Sequence, residues 1–231
     1  MVDDPVRKRG VVVTVCWSVK GGSGTTVVAA ALAVMQAKRA GDALLVDLAG
    51  DSLAVLGAQF RSVGEGVRSW LAADPTVGAD ALRALEVQAG PHLSVLPAGP
   101  VGFGPPARRR WDDLAAYLAD EPRPVVVDLG STMFGEASGR TSVLAVADAS
   151  LLVIRPCYLA LLRAVAAPRP TGVVLLREDG RSLGVADVEA ALGVDVVAQV
   201  AVDPAVAHAA DSGLLNTRLP RRLDRSWRRA A

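Results

Sequence analysis

Residues Ser18-Val19-Lys20-Gly21-Gly22-Ser23-Gly24-Thr25-Thr26 lie between an apolar, β-branched run (11–17) and an Ala/Val-rich segment (27–36). A strand, a glycine turn and a helix start, in that order, make a site for an anion. The glycines let backbone N–H groups converge, and the first helical turn adds the positive end of its dipole. The spacing predicts a phosphate-binding loop; the plain alternative is a Gly/Ser turn that binds nothing. Two other apolar runs carry an acid at their ends, Asp47 in 43–48 and Asp128 in 125–130. Thr26 can place its hydroxyl on a magnesium ion and Asp128 can hold that ion through water, with Asp47 a further candidate. The plainer alternative for Asp128 is a helix N-cap at a strand end.

Further apolar runs at 93–96, 151–154, 172–176 and 194–197 alternate with helix-like segments at 67–73, 79–85, 108–118, 158–166, 185–192 and 204–210. Seven continuous apolar runs separated by helices predict an α/β, doubly wound domain with a mostly parallel sheet of about seven strands covered on both faces. Ligands of such sheets sit at the carboxyl ends of the strands, where Lys20, Asp47 and Asp128 all fall. The expected division is a flexible N-terminus (1–10), one domain (11–215) and a basic tail (216–231). The run Arg108-Arg109-Arg110 reads as a solvated first helical turn.

Hydrophobic residues make up 51% of the 231-residue chain and the net charge is +1. No run is long and uncharged enough to span a bilayer, and the N-terminus lacks a signal peptide's apolar core, so a cytoplasmic protein is expected. Cys16 and Cys157 are read as reduced thiols beside apolar runs, and the isolated His92 and His208 exclude a zinc cluster. Only three of the 25 basic residues are lysines (Lys8, Lys20 and Lys38), so a lysine at the glycine turn is not background.

KGGSGTT resembles the deviant Walker A loop of the ParA/MinD family, K-G-G-x-G-K-T. It matches at Lys20, Gly21, Gly22, Gly24 and Thr26 and departs at Thr25. The resemblance implies a P-loop ATPase fold and ATP with magnesium as cofactors, held by Lys20, Gly21, Gly22, Ser23, Gly24, Thr25 and Thr26, with Thr26, Asp47 and Asp128 near the metal. It implies a homodimer in which Lys20 reaches the partner's nucleotide. The stretch 46–56 is similar to switch I of the CpaE/TadZ pilus-assembly branch, with Ala49 where that branch has its second aspartate. Asp51 could replace that aspartate in activating water, or cap the helix that follows. Leu176 stands where the family places an adenine-reading asparagine.

Thr25 removes the phosphate lysine, Ala49 the water-orienting carboxylate and Leu176 the base-reading amide. One cation beside a phosphate is a matter of a few kcal/mol, so its loss weakens nucleotide binding by about one to three orders of magnitude. The expected function is therefore a degenerate ATPase that localises or scaffolds tight-adherence (type IV) pilus assembly, with hydrolysis slow or absent. The alternatives are an active ATPase cycling on a membrane, as MinD does, and a nucleoid-binding partition protein of ParA type.

The tail carries Arg218, Arg221, Arg222, Arg225, Arg228 and Arg229 around Leu219, Leu223 and Trp227, against Asp224 alone. A basic helix with an apolar stripe can pack on the domain, lie on anionic lipid at the membrane's inner face, or touch nucleic-acid phosphates. Sedimentation with anionic liposomes tests the second option. A version ending at Asn216 that binds as well as the full chain rules out the tail as an anchor.

Overall fold

The computed structural model describes residues 12–58, 64–100, 105–131 and 139–217. The expectations for 1–10 and for the tail arginines lie outside them. In chain order the elements are β1 (Val13–Ser18), α1 (Thr25–Ala40), β2 (Ala43–Asp47), α2 (Ser52–Leu56), α3 (Val67–Ala72), α4 (Ala81–Ala84), β3 (Val87–Gly90), β4 (Leu93–Leu96) and α5 (Arg108–Asp120). They continue with β5 (Val125–Ser131), α6 (Arg140–Ala145), β6 (Ala149–Ile154), α7 (Tyr158–Val165), β7 (Gly172–Arg177), α8 (Val185–Leu192), β8 (Val196–Ala201) and α9 (Pro204–Asp211).

One eight-stranded sheet has the order β3-β4-β2-β5-β1-β6-β7-β8, and every pairing except β3 with β4 is parallel. The strand absent from the sequence reading is β3. It is an edge strand of sequence VQAG with no fully buried residue, so it shows no continuous apolar run.

Period-two alternation sorts the strand residues to two faces. Val13, Val15 and Trp17 of β1, Leu44 and Val46 of β2, and Val125, Val127 and Leu129 of β5 join one core, closed by α3, α5, α7 and α8. Cys16, Leu45 and Val126 face the other core, closed by α1, α2 and α9. With both faces covered, the central strands are apolar at nearly every position, which made them legible.

Helix α1 runs for 16 residues through the middle of the second core, where its alanines allow close approach to β1, β2 and β5. It ends at Gly41, whose left-handed backbone (φ 83°) lets its N–H return to the Ala37 carbonyl, with Lys38 and Arg39 in the last turn. Both cysteines are free thiols; Cys16 is buried, Cys157 half-buried. Burial pushes the Cys16 thiol up, and the neighbouring Asp128 adds to the rise.

The arginine run departs from its expected role. Arg108 and Arg109 are exposed, but Arg110 is buried. Its guanidinium stacks 3.6 Å from the Trp70 ring centroid and donates to the carbonyls of Val77 and Trp70. Helix α5 turns this residue inward onto α3, a tertiary placement that a local count of charges does not register. Arg110→Ala therefore removes a stacked cation and leaves two carbonyls without their donor. The expected cost is about 2–4 kcal/mol, measured by urea unfolding. Arg109→Ala, on the same turn and exposed, stays within about 0.5 kcal/mol of the parent.

Candidate nucleotide site

Register assembles the site. Asp128 of β5 lies beside Cys16 of β1 on one side and Asp47 of β2 on the other. The β1–β5 register shifts between Cys16 and Ser18, where β1 leaves the sheet and the glycine turn begins. Ser18 Oγ donates to the Lys20 carbonyl at 3.1 Å, and Ser23 Oγ donates to the same carbonyl at 2.8 Å, which closes the turn. Gly22 and Gly24 take φ values of 73° and 79°. A side chain at Gly24 would meet more than backbone strain, because its Cβ would lie 2.8 Å from Leu176 Cδ2. Helix α1 starts at Thr25.

The turn opens into a cleft of about 480 Å³ lined by Ser18, residues 21–27, Leu48, Ala49, Asp51, Val55, Arg68, residues 129–131 and Arg140. Glycine loop, helix start and the ends of β2 and β5 thus share one concavity. Lys20 is exposed and does not line it. Thr25 is buried at the first helical position and Thr26 is half-buried beside it.

The two carboxylates differ: Asp47 ends β2, whereas Asp128, expected at a strand's carboxyl end, lies in the middle of β5, which runs on to Ser131. Asp47 Oδ1 accepts from the amides of Ala49 (2.9 Å) and Gly50 (2.6 Å), and Oδ2 accepts from Ser52 (3.0 Å). Asp47 therefore ties the loop after β2 and caps α2. Asp51, for which capping was one of two expected roles, makes no side-chain cap bond and stands exposed at the cleft. Asp128 has no exposed surface. Its Oδ1 accepts from the Gly130 amide at 3.0 Å, while Oδ2 has no hydrogen-bond partner. It begins no helix, so it is not the N-cap that the sequence also allowed.

A buried carboxylate oxygen without a partner, close to a threonine hydroxyl at a helix start, is chemistry that fits a hard divalent cation. Thr26 and Asp128 would hold such an ion, and it would neutralise phosphate charge there. Among the described residues no group of three or more His, Cys, Asp or Glu side chains is arranged to hold a metal alone, so substrate oxygens and water would complete the shell. Two residues of the lining, Arg68 and Arg140, went unnoticed in the sequence. A search for cations in the segments after β2 and β5, prompted by Thr25, would have found them.

Burial pushes the Asp128 carboxyl up to about 7. The Thr26 hydroxyl opposes this, Asp47 adds to it and the Gly130 amide opposes it. A carboxyl raised in the folded state binds its proton more tightly there than in the unfolded chain. Its stability penalty is thus absent below the ordinary pKa of 3.8 and complete above about 7. The metal-free protein should lose on the order of 4 kcal/mol of stability between pH 4 and pH 8 from this group. Asp128→Asn removes that component, as denaturant unfolding across the pH range will register.

Residues 12–177 match the family model described as cellulose biosynthesis protein BcsQ. A search of curated protein sequences finds no match. Among solved structures, the ParA family ATPase from Chlorobium tepidum aligns at 21% identity over 94% of this chain and 97% of that one, with a TM-score of 0.74. MinD complexed with Mg-ADP from Pyrococcus horikoshii aligns at 18% identity over 95% and 93%, with a TM-score of 0.73. MinD from Aquifex aeolicus aligns at 18% identity over 96% and 95%, with a TM-score of 0.74. At such identities the structural likeness is one of fold. The family match over 12–177, which takes in the glycine turn and six of the seven parallel strands, shows that this chain belongs to the BcsQ family.

Proposed function

We propose that the protein is a magnesium–nucleotide-binding scaffold that holds ATP and turns it over slowly or not at all. One observation carries the reading: Gly21, Gly22, Gly24 and Thr26 line one cleft and the fully buried Asp128 lies beside Thr26, while by the family resemblance Thr25 and Ala49 stand where a phosphate lysine and a water-orienting carboxylate are expected. Backbone amides of the glycine turn bind the phosphates, and Thr26 and Asp128 hold magnesium, which supplies charge neutralisation. Ala49 faces the cleft with a methyl group that neither accepts a proton nor orients water. Leu176 is buried beneath Gly24 and offers the base no amide, so adenine selectivity is weak. The Mg-ADP complex of the P. horikoshii relative supports the choice of ligand.

Such a protein acts by occupancy: bound nucleotide favours one of two states, here monomer and homodimer, with exposed Lys20 directed at the partner's phosphates. The family description points to cellulose biosynthesis as the process served. Pilus assembly, with polar-localisation proteins as partners, is the second reading and rests on the similarity of 46–56 to the CpaE/TadZ branch. No helix among the described residues is long and apolar enough to cross a membrane, so membrane contact would be peripheral.

Purified protein with ATP and magnesium should bind nucleotide in titration calorimetry, with Asp128→Ala abolishing the magnesium requirement. Steady-state phosphate release should not exceed that of Asp128→Ala. The double variant Thr25→Lys, Ala49→Asp should raise it by at least about a hundredfold, since positioned charge carries most of phosphoryl-transfer catalysis. Ordinary turnover by the parent chain, lost in Asp128→Ala, would favour the active membrane-cycling ATPase instead.

A further inference from the structure

At the glycine turn Lys20 does not line the cleft and Thr25 does, yet two arginines from other elements also line it. Arg68, from α3, donates through Nη2 to the carbonyls of Leu48 (3.0 Å) and Ala49 (2.7 Å), so its guanidinium is fixed at the lip of the loop after β2. Arg140, at the start of α6, lines the same concavity from the β5 side and is half-buried. Among the described residues of the lining the one acid is Asp51, which is exposed. We propose that Arg140 and Arg68 together replace the absent loop lysine, holding the terminal phosphates of the polyphosphate chain cradled by the glycine turn. This rests on the nucleotide reading given above.

Three considerations support it. The two arginines come from helices that pack on the opposite face of the sheet from α1, so they reach the cleft from the side away from the helix start. Burial pushes the Arg140 guanidinium down, and the charge of Arg68, which lines the same cleft, pushes it further. A polyphosphate in the cleft that both arginines line would offset the repulsion between them. An arginine fork also suits the purpose, because it binds phosphate oxygens in pairs and stays charged when desolvated. The arrangement further divides the labour: Arg68 is tied to the carbonyls of the loop after β2, so phosphate contact there would be felt by that loop directly.

The test uses the full chain, at fixed ionic strength, with Mg-ATP and Mg-tripolyphosphate as two separate calorimetric probes. The parent should bind both, and Arg140→Ala should weaken both by about tenfold or more. Arg68→Ala should have a smaller effect in the same direction, and Arg140→Gln guards against a variant that fails to fold. Adding Thr25→Lys to Arg140→Ala should recover most of the loss, because a cation is returned to the other wall. If the parent binds both probes and neither arginine variant, folded by circular dichroism, changes the affinity, the arginine role is overturned and the nucleotide reading stands. A loss that Thr25→Lys does not recover assigns Arg140 a structural task and also overturns it. Binding of tripolyphosphate without ATP, weakened in Arg140→Ala, supports the arginines and removes the nucleotide. Binding of neither removes both.

Discussion

Parallel pairing of β2, β5 and β1 is the constraint on which the site depends. It brings Asp47, Asp128 and the end of β1 level, and it holds Asp128 where water does not reach it. A carboxylate in such a place costs stability unless something offsets its charge, and only one of its oxygens is satisfied by the protein. The sheet could have filled the position with another valine at no such cost. That it keeps an acid there, next to a threonine on the helix beyond a glycine turn, makes sense when a cation completes the pair.

Around this point the site divides into what the backbone supplies and what side chains supply. The turn depends on Gly22 and Gly24 in left-handed conformations, on Ser18 and Ser23 bonding back to the Lys20 carbonyl, and on close packing of Leu176. A turn of this kind can present backbone N–H groups to an anion without a side-chain cation. The side chains that accompany it are a threonine in the loop (Thr25), an alanine after β2 (Ala49) and a leucine near the end of β7 (Leu176). Charge on the cleft now comes from α3 and α6, elements outside the loop. Under the proposed function, a cleft so built retains its ligand rather than converting it.

Much of this was legible in sequence because the central strands are buried on both faces. Runs such as Val125–Val127 carry no polar residue to confuse the period, and the acid that ends each run stands out. What was hidden depends on tertiary placement. The edge strand β3 is half-exposed and short, so VQAG looks like any connection. Arg110 looks like its neighbours until α5 is docked on α3 and one of three arginines turns inward. Asp47 and Asp51 are both acids near a helix start, and only the path of the loop decides that Asp47 takes the amides. Arg68 and Arg140 are separated by 72 positions, so no local pattern joins them across one cleft.

The central claim is that the cleft holds a triphosphate intact. It is tested most directly by incubating the protein with magnesium and γ-labelled ATP, passing it through a desalting column, and identifying the nucleotide that travels with it. ATP recovered undegraded with the protein after many minutes is the predicted result. Recovery of ADP with free labelled phosphate, or of protein without nucleotide at saturating ATP, would contradict it.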